Sequence, residues 1–353
     1  MADNDSGKFQ FYATQDYFKH LAKTISSTVN GDTVVLTAMT FDPKDQMIAV
    51  VMDQLISAAK RGVKTTVIID SYTFISNGFS KLIPFVFSTR QNHSNSPIIK
   101  SLEELKSNGG QYAVLNKPRN PFSLIYSGRF HAKLAIINTR VYVGGCNLSD
   151  TEQIDMMVGW DDAPTANKLV EVCNKILELN YRQDAFAGHD LEIELSATSN
   201  LILDAGIKGQ SAIIAKAFEI IDEAEQSIFF ACQYYPNSLT TKHLIKAAKR
   251  GVKVTILFNH PSQHSFPNSL IHRLVMQKQS WLSPDNLNLI KLPKSEHYMH
   301  SKLIATEKSA IMGSHNFIMA GVNFGTTEIA IYDDNPDFSK RAIDTVTSQI
   351  ISA

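Results

Sequence analysis

Two stretches of this chain carry the same reactive side chains in the same order. Arg129-Phe130-His131-Ala132-Lys133 leads to Val143-Gly144-Gly145-Cys146-Asn147, and Met299-His300-Ser301-Lys302 leads to Met312-Gly313-Ser314-His315-Asn316. His131 and Asn147 are 16 residues apart, as are His300 and Asn316. In extended backbone, residues i and i+2 share a face, so each histidine projects beside its lysine while the residue between them points away. A small turn, Gly144-Gly145 or Gly313-Ser314, lets backbone and the asparagine amide come close to that face. Each copy then reaches a carboxylate that opens an apolar strand, Asp155-Met156-Met157-Val158 and Glu328-Ile329-Ala330-Ile331.

Two such units facing each other would surround one anion with two imidazoles, two ammonium groups and several neutral donors, a set suited to a phosphodiester. One neutral imidazole attacks phosphorus and forms a covalent intermediate. The other, protonated, gives its proton to the leaving alkoxide and later takes one from the incoming water or alcohol. Lys133, Lys302, the amides of Asn147 and Asn316, Ser314 and the turn at Gly145 stabilise or support the oxygens of the transition state, a task often given to metals. Asp155 and Glu328 are the candidates to hold each ring's tautomer through its far nitrogen. A single His-x-Lys carries no weight, since it arises by chance in many chains. Its recurrence in register with glycine and asparagine does carry weight, because the chain repeats elsewhere as well.

The elements that position these residues are duplicated too. Leu55-Ile56-Ser57-Ala58-Ala59-Lys60-Arg61-Gly62-Val63-Lys64 returns as Leu244-Ile245-Lys246-Ala247-Ala248-Lys249-Arg250-Gly251-Val252-Lys253, identical at eight of ten positions. Each copy reads as the end of an Ala-rich helix stopped by a left-handed glycine, followed by a β-branched strand at Thr65 to Ile69 or Val254 to Phe258. An apolar strand precedes each helix, Thr33 to Met39 and Ser227 to Gln233. Before each strand lies an amphipathic helix, Tyr17 to Ile25 and Ile213 to Ile221. Strand and helix alternation predicts an α/β fold with a largely parallel sheet covered on both faces. An Ala-Lys-Arg-Gly-Val joint alone would mean little, because many α/β proteins use one.

With both repeats in view, the sequence resembles the phospholipase D superfamily, whose signature is His-x-Lys-x4-Asp followed by a Gly-Ser or Gly-Gly turn and Asn. The resemblance covers nearly the whole chain as two copies. The first copy, ending Val143-Gly144-Gly145-Cys146-Asn147-Leu148, is similar to the cardiolipin synthase branch. This resemblance implies two similar lobes related by a pseudo-two-fold axis, each a largely parallel or mixed sheet flanked by helices, with residues 1–188 and 189–353 as the two lobes. It also implies phosphodiesterase or phosphatidyltransferase activity through a phosphohistidine, with no metal or other cofactor. By analogy with several members, His131 is the nucleophile and His300 the acid. The chain departs from the signature at the motif aspartate, which is Asn138 in one copy and Glu307 in the other. It also has Gly145 where many relatives have serine, which removes one hydroxyl donor.

Composition narrows the substrate. Lys plus Arg and Asp plus Glu both number 34, giving zero formal net charge, whereas gripping a nucleic acid backbone usually calls for a basic excess. Two apolar excursions leave the C-terminal ends of strands, where α/β proteins place active-site loops. Residues 71–100 hold Phe74, Ile75, Phe79, Leu82, Phe85 and Phe87, and residues 266–281 hold Leu270, Ile271, Leu274 and Trp281. They read either as lips around an acyl-chain entrance resting on a membrane surface, or as helices packed on their own lobes or on a second subunit. Phospholipid is the expected partner, and nothing in the sequence requires a protein partner. A nuclease of the same superfamily and a non-catalytic scaffold are the alternatives; nucleic acid is a partner only under the first of them. The acidic N-terminus, the absence of long apolar runs and three scattered cysteines point to a reduced, cytoplasmic protein, peripheral to a membrane if the apolar loops touch one.

Overall fold

In a computed structural model of the chain, residues 7–76, 96–117, 128–178, 189–235, 239–260, 284–293 and 297–351 are described. The first copy begins with β1 (Gln10–Ala13), α1 (Thr14–Ser26), β2 (Thr33–Ala38), α2 (Gln46–Lys60), β3 (Lys64–Asp70) and the one-turn α3 (Thr73–Ser76). It continues through α4 (Pro97–Ser107), β4 (Gln111–Leu115), β5 (Leu134–Ile137), β6 (Arg140–Gly144), β7 (Met156–Asp161) and α5 (Ala163–Glu178). The second copy opens with β8 (Leu191–Glu194), β9 (Ser199–Ala205), α6 (Ala212–Glu223), β10 (Ser227–Cys232), α7 (Leu239–Lys249) and β11 (Lys253–Phe258). It closes with β12 (Leu287–Lys291), β13 (Leu303–Thr306), β14 (Ala310–Gly313), α8 (Met319–Phe324), β15 (Thr327–Asp333) and α9 (Pro336–Ile351).

The repeated decapeptide ends α2 and α7 and enters β3 and β11. Gly62 and Gly251 stop the helices with φ of 87° and 103°, a region that costs an L side chain about 1–2 kcal/mol. Leu55, Ala58 and Ala59, like Leu244, Ala247 and Ala248, are buried beneath them.

The strands run β1-β7-β6-β5-β2-β3-β4 in one sheet and β9-β15-β14-β13-β10-β11-β12 in the other, with β8 added outside β9. The two orders correspond strand for strand. β2, β3 and β4 are parallel, as are β10, β11 and β12, with α2, α4 and α7 among the crossover connections, while the remaining neighbours are antiparallel. Each sheet is therefore mixed. A two-residue connection between β5 and β6, with Asn138 at φ 53°, can only return the chain antiparallel.

Alternation along the strands divides the core. Val34 and Leu36 of β2 face α1, α2 and α4 in one cluster with Phe18, Leu21, Val51, Leu55 and Leu102. In the second lobe Phe230, Val254 and Ile256 meet Ile213, Ile221 and Leu244 of α6 and α7. Val35, Ile68, Ile136 and Trp160 point the other way and join Leu203, Leu257, Leu303 and Ile329 of the second sheet, with Leu169 of α5 and Ala342 and Val346 of α9. Each lobe has an outer core of its own, and a third core holds the lobes together. Among the described residues no helix is long and apolar enough to cross a membrane. Of the apolar excursions, residues 77–95 and 266–281 lie outside the described residues.

Candidate active site

Both histidines sit where one lobe's strand meets the other's main chain. The N–H of His131 donates to Thr327 O at 2.9 Å, and that of Thr327 to Arg129 O at 2.8 Å. Across the pseudo-axis, the N–H of His300 donates to Ile154 O at 2.9 Å, and that of Ile154 to Tyr298 O at 2.9 Å. Thr327 and Ile154 are the residues just before Glu328 and Asp155, so this pairing carries each carboxylate to the histidine of the opposite lobe. His131 Nδ1 lies 2.8 and 2.9 Å from the two oxygens of Glu328, and His300 Nδ1 lies 2.7 Å from Asp155 Oδ2. The pairs are crossed. Both imidazoles are 6% exposed, and among the described residues neither Nε2 makes a hydrogen bond, so the reactive nitrogens remain uncommitted.

The lysines are buried with them. Lys133 Nζ donates to His131 O at 2.7 Å. Lys302 Nζ donates to His300 O, lies 2.9 Å from His300 Nδ1 and stands 3.9 Å from Asp155. Asn147 Oδ1 accepts from the N–H groups of Met39 and Thr40 just beyond β2, at 3.2 and 3.4 Å, which fixes its amide. Asn316 keeps a buried Oδ1 with no partner among the described residues, an acceptor that costs free energy until something donates to it. Ser314, expected to bind phosphate or to support the site, directs its hydroxyl to Glu328 and accepts from Ile329 N–H at 2.9 Å. Gly145 has a steric reason: a Cβ there would lie 2.2 Å from Asp155 Oδ1 and 2.4 Å from Oδ2. A serine would displace the carboxylate that holds His300, so the hydroxyl missing from this side is excluded by geometry.

The family described as cardiolipin synthase, phospholipase D-like domain, matches residues 21–177 and 218–349, most of both copies. This chain belongs to that family. Among solved structures, the phosphatidylserine synthase of Haemophilus influenzae Rd KW20 is similar over 97% of this chain and 86% of its own, with a TM-score of 0.70 and 12% identity. Polyphosphate kinase from Porphyromonas gingivalis is similar over 97% of this chain and 50% of its own, with a TM-score of 0.58 and 12% identity. At such identities the likeness is one of fold. No curated protein matched in sequence.

Burial governs the electrostatics of this phospholipase D-like site. Desolvation lowers His131 and His300 to about 4 each, against the pull of Glu328 on one and Asp155 on the other. It lowers both lysines as well. Burial alone would raise Glu328, but His131, His315 and Lys133 bring it down to about 2. Asp155 is likewise held below its ordinary value, because Lys302 and His300 outweigh the same penalty. The site thus holds two ionised carboxylates against two imidazoles whose added protons are easily lost. A phosphodiester anion brought beside them favours protonation.

The motif-acid positions lie elsewhere. Asn138 Oδ1 accepts from Thr33 N–H at 3.0 Å, and Glu307 accepts from the N–H groups of Glu225 and Ser227 at 2.9 and 3.1 Å. Both tie the turn after β5 or β13 to the start of β2 or β10, about 15 Å along the strand from the lysines. An asparagine or a glutamate keeps the needed acceptor oxygen there, so these departures leave the site's own contacts intact. Two site-building residues escaped the sequence reading. Asp70, closing β3, accepts from Phe130 N–H at 2.8 Å, and Asn259, just past β11, accepts from Met299 N–H at 2.8 Å. The signal was available, since both occupy one register position of the repeated decapeptide and its strand.

Proposed function

We propose that the protein is a phosphodiesterase or phosphatidyltransferase acting on phospholipids through a covalent phosphohistidine. The crossed pairs carry this reading: two imidazoles, each oriented through Nδ1 by the other lobe's carboxylate, leave two Nε2 atoms for one substrate. Neutral Nε2 of one histidine, His131 by family analogy, attacks phosphorus. The P–O bond to the leaving alcohol breaks, and the imidazolium of the second, His300, protonates that oxygen. Water or an acceptor alcohol then loses its proton to the second imidazole and attacks phosphorus, and the P–N bond breaks. Asp155 and Glu328 stabilise whichever ring is positively charged. Lys133 and Lys302 balance the added charge on the phosphoryl oxygens, with the amides of Asn147 and Asn316 beside them.

The two-lobed family and the absence of a basic excess favour phospholipid over nucleic acid as the substrate. The apolar stretches within 71–100 and 266–281 are proposed to meet the membrane surface. The test is incubation with a defined phospholipid and, separately, single-stranded DNA, with water, glycerol or serine as acceptor and mass spectrometry of the products. A phosphatidyl product or phosphatidic acid is expected, lost in His131→Ala and His300→Ala. Cleavage of DNA alone would replace this reading with a nuclease, and inertness of the wild type toward both would favour a scaffold.

A further inference from the structure

The short segments that carry His131 and His300 into β5 and β13, the histidine strands, are held on two sides. One side is the other lobe's main chain at Thr327 or Ile154. The other is a single side chain from the strand two places along in the same sheet. Asp70 and Asn259 are both 0% exposed, and both accept from the N–H of the residue immediately before a histidine. Both occupy the same register position at the C-terminal end of the strand that follows the repeated decapeptide, Asp70 as its last residue and Asn259 just past it. Their remaining bonds differ in sign. Asp70 also accepts from Tyr72 N–H at 2.8 Å and Asn116 Nδ2 at 2.7 Å, and pairs with Arg129 Nη1 at 3.4 Å. Asn259 instead donates to Met299 O at 2.6 Å and Gln233 O at 3.0 Å, so it clasps both backbone groups of Met299.

We propose that Asp70 and Asn259 are a pseudo-symmetric pair of positioning residues, each setting the register of one histidine strand so that the ring reaches the opposite lobe's carboxylate. The proposal rests on the phosphohistidine reading for its consequence in turnover, though not for its geometry. Neither residue touches the reacting atoms. Without the side-chain clamp, Phe130 or Met299 loses its acceptor within the home lobe, and the histidine strand is free to follow the partner lobe's main chain alone. The buried amide left behind disfavours the original position, and a shift of about 1 Å in the imidazole suffices to cost about 100-fold in rate. The two residues also explain why their types are not interchangeable. Every partner of Asp70 is a donor, which suits a carboxylate, while Asn259 donates to two carbonyl oxygens, which a carboxylate would repel.

The test combines 15N-histidine NMR of the full chain with steady-state kinetics on bis(p-nitrophenyl) phosphate, for Asp70→Ala and Asn259→Ala. The ring signals are assigned with His131→Gln and His300→Gln. Asp70→Ala should shift the His131 ring nitrogens, leave those of His300 in place and lower kcat about 100-fold with KM little changed. Asn259→Ala should do the converse to the rings. Asp70→Ser and Asn259→Ser, whose hydroxyls stop short of the histidine strand, replace any alanine variant that does not fold. Folded variants with unmoved rings, or with both rings shifted alike by either substitution, would overturn the proposal. The ring signals are read whether or not any substrate turns over. Lobe-specific shifts in a wild type inert toward phosphodiesters would therefore sink the reaction and leave the clamp, and unmoved rings in an active enzyme would do the reverse.

Discussion

At the scale of single residues, the carboxylates decide which form each imidazole takes. Replacing Glu328 by Gln keeps the shape but offers His131 Nδ1 an amide in place of an ion, so the tautomer and the charged ring lose their support. The expected outcome is a fall in kcat of about 10²–10⁴-fold with the fold retained, measured by turnover alongside circular dichroism. Acid should unfold the protein in two windows. The folded pKa of His131 and His300, about 4, lies below the ordinary 6.5. Between those values the unfolded chain binds protons that the native one does not, and stability falls as pH drops from about 6.5 to about 4. Glu328, held at about 2 against 4.5, contributes stability that is present above 4.5 and lost as pH falls toward 2. Denaturant unfolding across this range checks the slope, which should flatten between 6.5 and 4 in His300→Gln. The residue types at these positions were legible in the sequence, but their pairing was not. Spacing puts Asp155 and Glu328 after their own copies' turns, and only the docking of the lobes sends each to the other copy's histidine.

At the scale of elements, the two copies act as controls for each other. Gly62→Ala and Gly251→Ala both force a side chain into positive φ. At Gly62 the new Cβ would also lie 2.3 Å from Asn30 Oδ1, whereas at Gly251 nothing stands within 4 Å. Each should lose about 1–2 kcal/mol, with Gly62→Ala the worse of the two in denaturant titration. Gly145→Ser should cost a further kind of penalty, about 1–3 kcal/mol of overpacking, together with activity, because it evicts Asp155 from beneath His300. The serine at the equivalent Ser314 is harmless, because there the hydroxyl donates to Glu328. The helix-to-strand units were readable from the repeated decapeptide, down to the glycine stops. The antiparallel half of each sheet was less so, since the strand-helix alternation spoke only for β2 and β3 and for β10 and β11. The short β5–β6 turn at Asn138 was the overlooked sign.

At the scale of the molecule, the third hydrophobic core and the crossed pairs make the site a property of both lobes at once. Neither lobe holds a histidine together with its own carboxylate, so a cut that separates the sheets leaves two half-sites with unpaired buried charges. Chelators should leave turnover unchanged, because the proposed mechanism gives the phosphoryl oxygens to Lys133 and Lys302 in place of a metal, and added chelator in the assay checks this. Under the proposed mechanism the two imidazoles serve one phosphorus, one as nucleophile and the other as acid. This is tested most directly by rapid quenching with bis(p-nitrophenyl) phosphate, whose leaving group needs no proton, followed by peptide mass spectrometry. The wild type should carry the adduct on one of His131 and His300 only, and it should accumulate when the other histidine is replaced by Ala. An adduct on neither histidine, or one that forms equally on each when its counterpart is absent, would contradict it.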